Sequence, residues 1–190
     1  MADIKEAHVE WRIVDRLRDM LDRPPGVDHD ETLAYSLFTT ILCWTCQRIR
    51  DDGHEVAFSV WGQLQRERAM DHPWSLADLN PQRLAEGALP LSSLPAHIFL
   101  VGLRNAGAHG DDRKVRPRHV REGGGANRRL IGFDLDTTFY DPTLKQGWGR
   151  WLVPLTSLDM RRIGVSLADR FCNQMGRDAQ EEAGRHVLVA

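Results

Sequence analysis

The chain has 190 residues, 42% of them hydrophobic, with 25 basic and 27 acidic side chains for a net charge of −2. A chain of this length buries about 70% of the surface its unfolded form exposes, so one sizeable core and a single domain are expected. The near-neutral balance excludes a histone-like polycation and an acidic disordered tail, and three cysteines (Cys43, Cys46, Cys172) are too few for a disulfide scaffold. No apolar run approaches the roughly 18 residues that cross a bilayer. The opening MADIKEAHVEW lacks the apolar core of a signal peptide, so a cytoplasmic protein with reduced thiols and no membrane partner is expected.

From Glu6 to Leu21, Val9, Ile13, Val14, Leu17, Met20 and Leu21 recur at three- and four-residue steps, the stripe of an amphipathic helix. Arg23-Pro24-Pro25-Gly26 stops it. Asp28 or Asp30 offers the N-cap of a longer, more apolar helix reaching about Arg50, with Leu33, Leu37, Ile41, Leu42, Trp44 and Ile49 on its apolar side. Val56 to Arg68 reads as a shorter third helix, and Ser75 to Gly87 as helical turns broken by Pro81. Ser92-Ser93-Leu94-Pro95 reads as a capped start for a helix through Ile98, Leu100, Val101 and Leu103 to about His109. Asp111 to Asn127, polar and glycine-rich, reads as a mobile loop.

The period then changes. Ile131, Phe133 and Leu135 alternate with Gly132, Asp134 and Asp136, which predicts a strand, with Trp148 to Leu155 as its partner. Thr156-Ser157-Leu158-Asp159 resembles a capping box opening a last helix striped by Ile163, Leu167 and Phe171. The expected architecture is mainly α: four to five main helices in one domain over residues 1–177, a β-hairpin inserted at about 129–155, and a polar, fraying tail at 178–190.

One segment points to chemistry. Leu103-Arg104-Asn105-Ala106-Gly107-Ala108-His109-Gly110-Asp111-Asp112 puts an arginine, an amide and a histidine at the end of a helix. Behind it, Arg104, Arg113, Lys114, Arg116, Arg118, Arg121, Arg128 and Arg129 are opposed within residues 104–129 only by Asp111, Asp112 and Glu122. Such local positive charge attracts a polyanion, and Arg113, Lys114, Arg116 and Arg118 are the candidate RNA-binding residues. His109 has the chemistry of a general base for a ribose 2′-hydroxyl, Arg104 that of a clamp on charge developing at phosphorus, and Asn105 that of an orienting group. With the 2′-hydroxyl as nucleophile no metal or other cofactor is needed, and the products are a 2′,3′-cyclic phosphate and a 5′-hydroxyl. Five helical residues rotate one side chain by about 140° from another. Arg104 and His109 therefore converge only if Gly107 or the helix end re-aims the histidine, or if a second subunit completes the site.

The motif Arg104-Asn105-x-x-x-His109, with Leu103, Ala106, Ala108, Gly110, Asp111 and Asp112 around it, resembles the HEPN superfamily (higher eukaryote and prokaryote nucleotide-binding domains) in its bacterial abortive-infection and toxin-like branch. The resemblance implies a HEPN-like helical bundle, with Arg104, Asn105 and His109 as the site of a metal-independent endoribonuclease. It also implies a homodimer sharing one cleft, in a defence or toxin–antitoxin setting with an antitoxin as a further partner. Other members bind RNA or scaffold proteins without cleaving, which is the alternative reading. The blander readings are a helix end stabilised by its cations, or a metal site at His109, Asp111, Asp112 and His119 whose spacing fits no ligand pattern. Cys43-Trp44-Thr45-Cys46 sits inside a helix with no strand before it, so its thiols read as core residues. Trp44 also reads as core. Trp148 and Trp151, which flank Arg150, have base stacking as the weaker alternative.

Overall fold

The computed structural model describes residues 6–22, 30–48, 55–72, 74–108, 113–121 and 128–188. In chain order the elements are α1 (Glu6–Asp22), α2 (Asp30–Arg48), α3 (Glu55–Arg66), β1 (Gln82–Ala85), α4 (Ala96–Ala108), β2 (Val115–Arg121), β3 (Arg128–Asp141), β4 (Gln146–Leu155) and α5 (Ser157–Leu188). The four strands form one antiparallel sheet in the order β1-β4-β3-β2.

The mainly α expectation is therefore wrong: the fold is mixed α/β, with five α-helices and a four-stranded sheet among the described residues. The β3–β4 hairpin lies where the alternation put it, but two further strands flank it. β2 was assigned to a loop and β1 to helical turns. The reason is physical. Both are edge strands with little side-chain burial (every residue of β1 is exposed), so neither shows the apolar alternation of a strand with one buried face. An edge also tolerates the charges and the Pro117 that a central strand excludes. Their order comes from backbone pairing, β1 to β4 and β2 to β3.

Helices α1, α2 and α5 pack on one another. A Cβ on Gly164 of α5 would stand 2.5 Å from Leu21 Cδ2 and 3.4 Å from Phe38 Cδ2, which shows how closely they approach. Arg161 of α5 ties them further, donating to the Leu21 carbonyl and pairing with Asp30. At the start of α5 the capping box is present: Thr156 N–H donates to Asp159 Oδ2 (2.9 Å) and Asp159 N–H donates to Thr156 Oγ1 (3.2 Å). The helix then runs on to Leu188, through most of the stretch 178–190 expected as a fraying tail.

Trp44 is a second correction. It is 39% exposed, as is Leu33 at 44%, while Leu37, Phe38, Ile41 and Leu42 face inward. α2 carries apolar residues on more than one side, among them the exposed Leu33 and Trp44, so apolar spacing alone does not single out its buried face. Cys46 is buried and Cys43 half-buried; both carry reduced thiols, as does Cys172, which burial pushes up to about 12.

Candidate functional site

The site is built on the last turns of α4. Ser92 and Ser93 do not cap this helix; the Pro95 carbonyl accepts its first bond, from Phe99 N–H (3.1 Å). Ser93 instead donates to the Pro90 carbonyl (2.8 Å) and accepts the Trp148 indole N–H (3.0 Å). Phe99, Leu100 and Leu103 are fully buried, and Gly102 lets the helix lie directly on Phe139 and Thr137 of β3. The final turn is gripped from two sides. Tyr35 of α2 donates to the Gly107 carbonyl (3.3 Å), and its ring packs on Phe133 of β3 with centroids 4.5 Å apart. Thr39 of α2 lies against Gly107, close enough that a Cβ there would meet its methyl at 3.3 Å.

On this turn Arg104 and Asn105 are half-buried and adjacent, and Arg104 Nη1 donates to Asn105 Oδ1 at 3.0 Å. The amide oxygen proposed to orient a hydroxyl or the imidazole is thus engaged in holding the guanidinium. Arg104 Nε is buried and has no hydrogen-bond partner among the described residues. A buried donor of that kind costs about 1–3 kcal/mol unless an acceptor is brought to it. His109, with Gly110, Asp111 and Asp112, lies outside the described residues, immediately past the end of α4. Among the described residues no group of three or more histidine, cysteine or acidic side chains is placed to hold a metal.

The candidate RNA-binding residues are not on a loop. Arg116 and Arg118 stand on β2, and Arg113 and Lys114 lead into it. The register brings Asp134 opposite Arg116, and carboxylates from β3 reach both arginines: Arg118 Nε lies 3.2 Å from Asp134, and Arg116 Nη2 lies 3.8 Å from Asp136. Two of the eight cations counted along residues 104–129, Arg116 and Arg118, thus meet carboxylates from across the sheet. Burial raises the Asp134 carboxyl above its usual range, against the pull of Arg118 and Arg116. Asp136 is held below its usual range, chiefly by hydrogen bonds from Arg150 of β4, whose Nε and Nη2 donate to its two oxygens at 2.7 and 2.6 Å. Asp134, Asp136 and Arg150 are the functional candidates that sequence reasoning missed. The two aspartates registered only as the polar half of an alternation, and only the β3–β4 pairing brings Arg150 to them.

The rings of Trp148 and Trp151 are largely covered. Trp148 is buried, and Trp151 is half-buried with its indole N–H on the Trp148 carbonyl (2.7 Å) and Arg83 above its ring (5.6 Å). Comparison of the chain with protein-family models, with curated proteins and with solved structures returned no match.

Proposed function

We propose that the protein is a metal-independent endoribonuclease of the HEPN type, with Arg104 and His109 catalytic and Asn105 supporting. The observation that carries this reading is the setting of Arg104. Its guanidinium is half-buried, anchored by Asn105 and short of an acceptor at Nε among the described residues, on a helix end pinned by Tyr35 and Thr39, with His109 next in sequence. An arginine held in this way is suited to a phosphate that gains charge during reaction. The proposal rests on this motif and its surroundings; a four-stranded sheet is a departure from the plain helical bundle that the resemblance implies.

In this mechanism His109 takes the proton of a ribose 2′-hydroxyl, the 2′-oxygen attacks the adjacent phosphorus, and the P–O5′ bond breaks. The departing 5′-oxygen takes up a proton, which gives a 2′,3′-cyclic phosphate and a 5′-hydroxyl. Two copies of the chain sharing one cleft would bring a second Arg104–His109 pair to the same phosphate, which answers the rotation that separates the two side chains on one helix. A cytoplasmic setting in defence, restrained by an antitoxin, completes the reading; the reduced thiols of Cys43, Cys46 and Cys172 suit a reducing compartment. Among the described residues no helix is long and apolar enough to cross a membrane. The alternative, an RNA-binding or protein-interaction module without cleavage, draws on the same cationic strand.

The test is cleavage of labelled single-stranded RNA and tRNA in EDTA by wild type, His109→Ala and Arg104→Ala, with the product ends analysed. Wild type should cut and leave cyclic phosphate, while both variants bind RNA and do not cut. Binding without cutting by wild type, with or without added divalent metal, would leave the binding module. Equal cutting by all three would refute the assignment of the site.

A further inference from the structure

We propose that the outward face of the sheet, centred on Arg116 and Arg150, binds the sugar–phosphate backbone of single-stranded RNA, with Asp136 as the residue that positions both guanidiniums. The inference rests on the reading of the protein as one that acts on RNA.

Successive strand residues point to opposite faces. On β3, Leu135, Thr137 and Phe139 are buried, and Gly102 of α4 lies against the last two, so Asp134, Asp136, Thr138 and Tyr140 belong to the other face. Pairing adds Arg150 of β4 opposite Thr138, and Arg116 of β2 opposite Asp134. Thr138 and Tyr140 are exposed, as expected for a face turned to solvent. Asp136 is the exception: it is 0% exposed there. What hides it includes its own arginines, Arg150 in a two-point grip and Arg116 at 3.8 Å, both about half exposed themselves.

That arrangement presents cations in fixed orientation. The grip uses Nε and one Nη2 hydrogen of Arg150, leaving the two Nη1 hydrogens and the second Nη2 hydrogen for an outside acceptor. Arg116, Arg118 and Arg150 outnumber the two carboxylates they meet, Asp134 and Asp136, so the cluster keeps positive charge. The surroundings add to it: β2, β3 and β4 carry Arg116, Arg118, Arg121, Arg128, Arg129 and Arg150 against Asp134, Asp136 and Asp141, in a chain whose overall charge is negative. Asp141 faces away from this charge, accepting Thr143 and Leu144 N–H groups in the hairpin turn. Planar guanidiniums pair with phosphates and stack on unpaired bases, and the half-exposed Tyr140 offers a further ring on the same face. A single strand fits such a surface better than a duplex, because its bases are free to stack.

The experiment is binding of a labelled 2′-O-methyl RNA, which cannot be cleaved through its 2′-oxygen, followed by anisotropy over a range of salt concentrations. Arg150→Ala and Arg116→Ala should each weaken binding several-fold and reduce the slope of log affinity against log salt by about 0.7. Arg68→Ala, which removes an exposed cation at the corner after α3, should change neither. Asp136→Asn adds a net positive charge, so charge alone would tighten binding; loss of the positioning role should weaken it. Arg150→Lys keeps the charge and loses the two-point grip, so it should hold the slope but lose affinity, and it decides the matter should Asp136→Asn fail to fold. If wild type binds RNA and the arginine variants bind equally well, the sheet face is refuted while the RNA reading stands. If wild type binds no RNA, both fall. Equally tight binding of an acidic peptide of matching charge would refute RNA as the occupant.

Discussion

Gly102→Ala tests the contact that seats α4, and with it Arg104, on the sheet. A Cβ at this position would lie 2.6 and 2.7 Å from Phe139 Cε1 and Cδ1, and 2.9 Å from Thr137 Oγ1. Carbon atoms normally approach to about 3.5–4.0 Å. Phe139 is fully buried and its ring packs on Phe99 with centroids 5.9 Å apart, so it has little room to withdraw. Overpacking costs about 1–3 kcal/mol, and the rigid neighbour puts this case in the upper half of that range. Alanine recovers about 1 kcal/mol over glycine in a helix. The net expectation is a loss of about 1–2 kcal/mol. Gly107→Ala, five residues on, is the internal control: its closest approach is 3.3 Å to a threonine methyl, so the helix preference prevails and stability holds or rises by up to about 1 kcal/mol. Urea unfolding of both variants reads this as opposite shifts of midpoint at constant slope. Phe139→Leu should cost less in the Gly102→Ala background than alone, because it opens the space the new methyl needs. A Gly102→Ala protein as stable as wild type would refute the packing of α4 on β3 described above.

Thr156→Ala should lower stability by about 1 kcal/mol through loss of the capping box, seen as a lower urea midpoint, with Thr156→Ser recovering most of it. Tyr35→Phe removes a long, half-buried hydrogen bond to Gly107, so about 0.5 kcal/mol is expected in the same assay, and a loss above 2 kcal/mol would show that the hydroxyl does more. Burial holds the His72 and His97 imidazoles below the usual histidine range; in His72 the nearby Glu67 carboxylate opposes this only in part. Their unfolded forms therefore bind protons more readily than the folded ones. The stability tied to the neutral rings is complete above about pH 6.5 and is lost as the pH falls below it. Urea midpoints measured at descending pH should show that decline, and His97→Gln should flatten it; a midpoint that rises on acidification would contradict the burial of these rings.

Local chemistry made much of the chain legible. Local signals bounded most helix ends to within a few residues, the far end of α5 excepted; the Thr156–Asp159 box shows why, because a cap acts through its own backbone and near neighbours. The hairpin was legible for the same reason: Leu135 lies in the core and Phe133 packs against it, and both alternate with Gly132, Asp134 and Asp136. The Arg104–His109 motif was visible as a run of residues. That Asn105 would hold the arginine, and that α2 would grip the turn through Tyr35 and Thr39, was not, since α2 lies some seventy residues earlier.

By itself, then, the sequence determined the helices, the central hairpin and the motif that suggests a chemistry, all of which depend on contacts between near neighbours in the chain. Tertiary structure alone decided the edge strands β1 and β2, the exposure of Trp44, and the meeting of Arg116, Asp136 and Arg150. Edge strands take their order from a partner's backbone and leave no apolar pattern behind. A helix with apolar residues on more than one side does not say which side will be covered. Charges spaced along a chain become a site only when strand register sets them face to face.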